Sequence, residues 1–270
     1  MRIMIRCDVE GVTGVTHPSQ ADGVSVGFAY GLAMLHADVN AVVSGLRATG
    51  EHDIWIYDMH NDGRNLNMAQ LDAGVRVLCG KPPYRPGNIG GLTEDFDGQI
   101  LLGLHSMAGT GELLAHNYEH EVKHLLLNDV PVGEIGIEAA LAGELGVPTI
   151  LVTGDSAGCA EAHALLGDIP TVSVKESLGP HAGICYPTAL TGSWLQDGTR
   201  SALESAKSLS PYRVTPPVKL SMILDDGPFS NHVRAKLADA VQPDGALLLT
   251  GDSVAAVWQR FLLAKPQFPS

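Results

Sequence analysis

The sequence predicts an α/β fold, a mostly parallel sheet flanked by helices, with a smaller C-terminal α+β domain. Two observations predict it. Short apolar runs of strand length alternate with segments of helical spacing through the first two thirds of the chain, the pattern of βαβ units. A turn-rich stretch, SPYRVTPP (210–217), then interrupts that rhythm before strand-like and helix-like segments resume.

In order, residues 1–7 (MRIMIRC) form an apolar strand ending at Asp8. Residues 28–48 carry apolar side chains at helical spacing, with Met34, Leu35 and Val42 as candidate core, and Gly50 as the stop signal. Strands follow at 53–58 (DIWIYD) and 99–104 (QILLGL). The stretch LLLNDVPVGEIGIE (125–138) reads as a strand, an Asn-Asp turn and the opening of a helix at about 134–145. A strand over 148–155 (PTILVTGD), a helix near 157–166 and a strand at 171–175 (TVSVK) complete the sheet. Beyond a helix at about 188–208 and the turn-rich stretch come VKLSMIL, NHVRAKLADA, ALLLT and SVAAVWQRFLLAK, read as strand, helix, strand and helix. The expected division is a metal-binding catalytic α/β domain over 1–190 and a smaller α+β domain over 191–270.

Bulk properties narrow the partners. The chain has 270 residues, a net charge of -13 and a pI near 5.1, with no Lys/Arg cluster, so a nucleic-acid partner is excluded. No apolar run approaches the roughly 18 residues a membrane span needs. Cys7, Cys79, Cys159 and Cys185 form no CxxC pair, which fits free thiols in a reducing compartment. The first residues are already strand-like and leave no room for a signal peptide. The expectation is a soluble, cytoplasmic protein acting on a small molecule.

Three strands end alike. The first delivers Asp8-Val9-Glu10, the second Asp58-Met59-His60, and the third Leu104-His105. Open α/β sheets build their sites beyond the carboxyl ends of the strands, and residues two apart in an extended chain share a face. Carboxylates and imidazoles converging there suit a divalent cation, zinc by the mixed oxygen and nitrogen set. Without a cation such acids repel one another. Glu134, near a helix start, either complements the helix dipole or points into the same crevice.

A competing signal is His120-Glu121-Val122-Lys123-His124, an HExxH pattern with His116 one helical turn earlier. It runs into HLLLND, which reads as a strand approaching a hairpin turn, where residues four apart stand ~13 Å apart and cannot share one zinc. His120 is therefore expected at the surface. Gly11-Val12-Thr13-Gly14 lacks both phosphate-loop patterns, and its glycines fit close backbone approach instead.

The segments CDVEGVTG (7–14), YDMHN (57–61), GLHSMAG (103–109), AHNYEH (115–120), LNDVPVGEIGIEA (127–139) and VPTILVTGD (147–155) resemble, in order and approximate spacing, the zinc-dependent D-aminopeptidase family of the DppA type. Ser156 departs from the family pattern, which has a second Asp there. The resemblance implies two zinc ions per subunit, held by Asp8, Glu10, His60, His105 and Glu134, with Asp8 bridging. It implies His116 as the catalytic residue beside them. It further implies a homo-oligomer, a decameric double ring, that releases N-terminal D-residues from short peptides. The alternatives are a binuclear amidohydrolase acting on another small amide or ester, and a catalytically idle small-molecule binder.

Overall fold

The chain starts in the middle of its main sheet. In the computed structural model, which describes residues 1–266, β1 (Arg2–Cys7) leads through α1 (Phe28–Arg47) to β2 (Asp53–Asp58), which pairs with β1 in parallel. α1 buries Leu35, Val39, Val42, Val43 and Leu46, the apolar stripe of an amphipathic helix. Met34 is partly buried against that stripe. β3 (Arg76–Leu78) extends the sheet beyond β2, and β4 (Tyr84–Arg85) pairs with β5 (Asn88–Ile89) in a separate small hairpin. β6 (Gly98–Leu104) returns to the free side of β1, again in parallel.

The chain then leaves the main sheet. β7 (Val122–Leu127) and β8 (Val130–Val132) form an antiparallel hairpin. Its turn residues Asn128 and Asp129 both have positive φ, at 49° and 67°. Such turns match the twist of the flanking strands, and Asn and Asp tolerate the left-handed region best among residues with a Cβ. α2 (Glu134–Glu144), β9 (Thr149–Asp155), α3 (Ser156–Leu166) and β10 (Thr171–Ser177) resume the parallel sheet, and β11 (Gly183–Cys185) closes it antiparallel to β10. The seven-stranded order is β11-β10-β9-β6-β1-β2-β3. β6 and β9 are buried along their whole length, as parallel strands covered on both faces must be.

After α4 (Thr188–Ser205) come β12 (Val218–Leu224), α5 (Pro228–Lys236), β13 (Leu247–Gly251) and α6 (Val254–Ala264). These elements divide between two places. α4 packs along α1 so closely that a Cβ on Gly45 would stand 2.7 Å from the Gln196 carbonyl. β12 and β13 instead join the hairpin in a four-stranded antiparallel sheet ordered β13-β12-β7-β8. The small sheet thus draws half its strands from within residues 1–190. The boundary expected at 190 falls inside α4, and residues 267–270 of that expectation lie outside the described residues.

Two apolar layers result. Along β1, Ile3, Ile5 and Cys7 face the layer under α1 and α4, while Met4 faces the layer shared with the small sheet, as the strand period of two dictates. Among the described residues no helix is long and apolar enough to cross a membrane. Cys7 and Cys159 are buried, Cys79 and Cys185 exposed, and all four are free thiols.

Candidate metal centre

β2, β1 and β6 are neighbours in the sheet and end level with one another. Main-chain bonds continue the pairing past the strand ends, from Asp8 N–H to the Leu102 carbonyl (2.9 Å), Met59 N–H to Cys7 (2.9 Å) and Gly11 N–H to Gly103 (2.7 Å). Asp8, Glu10, His60 and His105 therefore emerge side by side in the crevice beyond the carboxyl ends. The approach requires glycine: a Cβ on Gly11 would sit 2.0 Å from the Leu104 carbonyl, and Gly103, at φ +72°, would collide with the Asp8 carbonyl. Glu134 arrives from the opposite side, as the first residue of α2 after the β7–β8 hairpin. All five side chains are buried or nearly so.

Asp8 divides the group. Its Oδ1 faces His60 Nδ1 at 2.9 Å, and its Oδ2 faces His105 Nε2 at 3.5 Å. Glu10 Oε2 joins the first side, 3.1 Å from His60 Nδ1, and Glu134 Oε1 the second, 3.6 Å from His105 Nε2. Donors on a tetrahedral zinc, at bond lengths of about 2.0–2.1 Å, stand roughly 3.3 Å apart, so both sides have the spacing a cation needs. Glu10 Oε2 and His105 Nε2 are buried without a hydrogen-bond partner, an arrangement that costs free energy unless a ligand completes it.

The remaining ring nitrogens are anchored. His60 Nε2 lies 2.7 Å from the Ala21 carbonyl, and His105 Nδ1 lies 3.0 Å from the Ser106 carbonyl. Each carbonyl holds the proton on the outer nitrogen and turns the other nitrogen inward, as ligating imidazoles require. Burial alone depresses the His60 imidazole, yet the Glu10 charge and the Asp8 hydrogen bond push it up to about 11. His105 rises against the same burial to about 10, through the nearby Asp8 carboxylate and the charge of Glu134. Asp8 is held well below the usual carboxylate range by both imidazoles although burial opposes this. Burial raises Glu134. Protons on the imidazoles thus compensate the buried acids, a role a divalent cation fills by displacing them. The residues fit zinc.

His116 stands beside the second side of Asp8. Its ring stacks on His105, and ligand atoms of His105, His116 and Glu134 fall within 4.8 Å of one another. The HExxH pattern does not form a site. Residue 122 begins β7, so His120 and His124 are not on a helix, and both are exposed. Glu121 instead accepts the main-chain N–H groups of Phe229 (3.3 Å) and Ser230 (2.8 Å) at the start of α5. Asp58 also turns away, accepting from Asn65 and Leu66 to shape the loop after β2.

A cavity of about 480 Å³ opens from the centre, walled by Tyr57, Tyr84, Tyr118 and Trp258, with Lys81 and Glu138 among its charged lining. Glu138 pairs with the fully buried Arg6 and accepts the Tyr118 hydroxyl at 3.1 Å. Glu138 lies four residues after Glu134, on the same helix face, a spacing that could have revealed it. Behind the centre, buried Lys175 donates to the carbonyls of Glu10 (2.5 Å), Val12 (2.9 Å) and Val15, pinning the loop that carries Glu10. Burial lowers its ammonium to about 8. Asp38 holds the same loop through the Thr13 N–H and hydroxyl, both at 2.8 Å.

The sequence profile of the Peptidase M55 family, described as D-aminopeptidase, matches residues 1–253. The D-aminopeptidase of Bacillus subtilis (strain 168) is 27% identical over 240 residues, 88% of this chain and 85% of its own length. Among solved structures, the zinc-dependent D-aminopeptidase DppA from Bacillus subtilis, a self-compartmentalizing protease, superposes with a TM-score of 0.91 at 23% identity. That superposition covers 98% of this chain and 96% of the other.

Proposed function

The chain belongs to the Peptidase M55 family of D-aminopeptidases, and from that premise we propose that it is a binuclear zinc aminopeptidase removing N-terminal D-residues from short peptides. The observation that carries the binuclear reading is Asp8, whose two oxygens face different imidazoles, His60 and His105, with Glu10 within reach of both Asp8 and His105. His60 and Glu10 would hold one ion, His105 and Glu134 the other, with Asp8 shared. When bound, the ions supply Lewis acidity and bring the pKa of water towards neutrality.

The protein's own side chains do the rest. His116 Nδ1 is tied to the Leu114 carbonyl at 2.9 Å, leaving Nε2 free to pass a proton to the leaving amine. Glu134 is held in place by the Tyr118 N–H at 2.6 Å. The aromatic walls exclude water from the bond to be cut. The family description and the related D-aminopeptidase support D-selectivity, the self-compartmentalizing relative supports a homo-oligomer, and the family resemblance implies a decamer of 28.4 kDa subunits. The cytoplasm is its expected compartment.

The test is a panel of D- and L-aminoacyl amides and dipeptides, assayed on the purified protein before and after zinc is restored. Activity that returns with two equivalents of zinc and favours D-substrates supports the reading. Equal rates on L-substrates, or rates indifferent to zinc, overturn it. Light scattering on the same sample checks the decamer.

A further inference from the structure

We infer that Lys81 binds the C-terminal carboxylate of the substrate, so that the cavity is suited above all to dipeptides, recognised at both ends. The inference rests on the aminopeptidase reading above and adds the chemistry of the far end of the substrate.

The argument is a charge balance over the cavity. Asp8, Glu10 and Glu134 are matched by the cations they would hold. Glu138 is matched by Arg6, and Lys265 by Glu119 at 2.6 Å. Lys81 is left over. Its ammonium donates to the Met59 carbonyl and lies 6.0 Å from the Tyr57 ring centroid, and among the described residues no carboxylate lies within ion-pair distance of it. An ammonium has three donors, so two remain for a ligand. Lys81 lines the cavity, where desolvation lowers its ammonium from the ordinary lysine value and the Asp58 charge opposes the drop.

Its position limits the length of the ligand. Met59, which anchors the ammonium, adjoins His60 of the metal centre. A dipeptide's carboxylate lies only roughly 5 Å from its scissile carbonyl, and each further residue adds about 3.5 Å. A cation tied next to a centre ligand therefore meets the carboxylate of a dipeptide and not that of a longer chain. Pro82 and Pro83 also line the cavity and restrict the backbone immediately after Lys81, so the stem starts from a defined place.

The zinc-loaded protein should be assayed on D-alanyl-D-alanine and on its C-terminal amide, which differ at the end Lys81 is inferred to bind. The free acid should have the higher kcat/KM by ten- to a hundredfold, mainly through KM, as expected for a charge-assisted hydrogen bond. In Lys81→Met that ratio should fall to about one, and Lys81→Arg should recover part of it. A wild-type ratio near one, or a ratio that survives Lys81→Met, overturns the inference while leaving the peptidase intact. If neither compound is cleaved, the peptidase reading falls. Calorimetric titration with D-alanyl-D-alanine then decides the carboxylate site, supported by weaker binding to Lys81→Met and overturned by equal binding.

Discussion

His116 lies flat against His105, with ring centroids 4.2 Å apart and planes 7° from parallel. The stack and the bond to Leu114 fix the ring, so its free nitrogen is displayed beside the centre without reorganisation. A group acting only in the transition state lowers kcat and kcat/KM together. His116→Ala should keep two zinc ions and an ordinary KM while kcat falls on the order of a hundredfold. Loss of zinc would make His116 a ligand, and a near-normal kcat would move the proton-transfer role to a carboxylate.

The two sides of Asp8 should be separable by metal analysis. His60→Ala should lose zinc from one side and His105→Ala from the other, both remaining folded by circular dichroism. Asp8→Asn should weaken both sites together. Two equivalents of zinc retained in either histidine variant would sink the assignment.

Glu121 and His120 should matter little for catalysis. His120→Ala and Glu121→Gln should keep zinc and turn over within a few-fold of the parent. Glu121→Gln should nevertheless lower Tm, because the carboxylate is held below its usual range by N–H groups of Ser230 and Phe229 at the start of α5. Its stabilising share is present above the ordinary glutamate range and is lost as pH falls through the lowered value. A hundredfold loss of rate in Glu121→Gln, with zinc lost in His120→Ala, would revive the HExxH reading.

Asp38 gives a pH signature. Burial pushes its carboxyl up to about 6 against the Thr13 bonds, so the folded protein holds a proton that the unfolded chain releases near pH 4. Stability from this group is complete below about pH 4 and is lost as pH rises through 6, a change on the order of 3 kcal/mol. Asp38→Asn keeps a carbonyl for the Thr13 N–H and an amide for its hydroxyl, and removes the titration. The difference in Tm between parent and variant should therefore change between pH 4 and 6. A constant difference would show that Asp38 does not titrate there.

Lys175→Met should leave the carbonyls of Glu10, Val12 and Val15 without a buried donor. Unmet buried acceptors cost roughly 1–3 kcal/mol each, so Tm should drop clearly and zinc affinity at the Glu10 side with it. Unchanged zinc affinity would show that the loop holds its shape without the lysine.

The strand ends were readable because a strand has a fixed period and an open sheet a fixed place for ligands. Spacing and strand ends mark Asp8, Glu10, His60 and His105 as candidates, whereas Glu134, at a helix start where an acid also complements the dipole, joins them through the family resemblance. Leu125, Leu126 and Leu127 belong to β7, so the HExxH pattern spans a loop and a strand. The role of Glu121 was hidden, since its partners Phe229 and Ser230 are more than a hundred positions away. Lys81, Lys175 and Asp38 were hidden for the same reason. A lone charge in the sequence says nothing of which main-chain groups will surround it.

The division of the small sheet also bears on how the protein is made. β7 and β8 come off the ribosome long before β12, and an isolated two-stranded hairpin is marginal in water. Until Val218–Leu224 has been synthesised and pairs with β7, the turn into Glu134 lacks firm support. A nascent chain of two hundred residues thus carries all five proposed ligands without the strand that braces the hairpin before Glu134. Metal binding at the proposed centre is then expected only once the C-terminal strands have emerged.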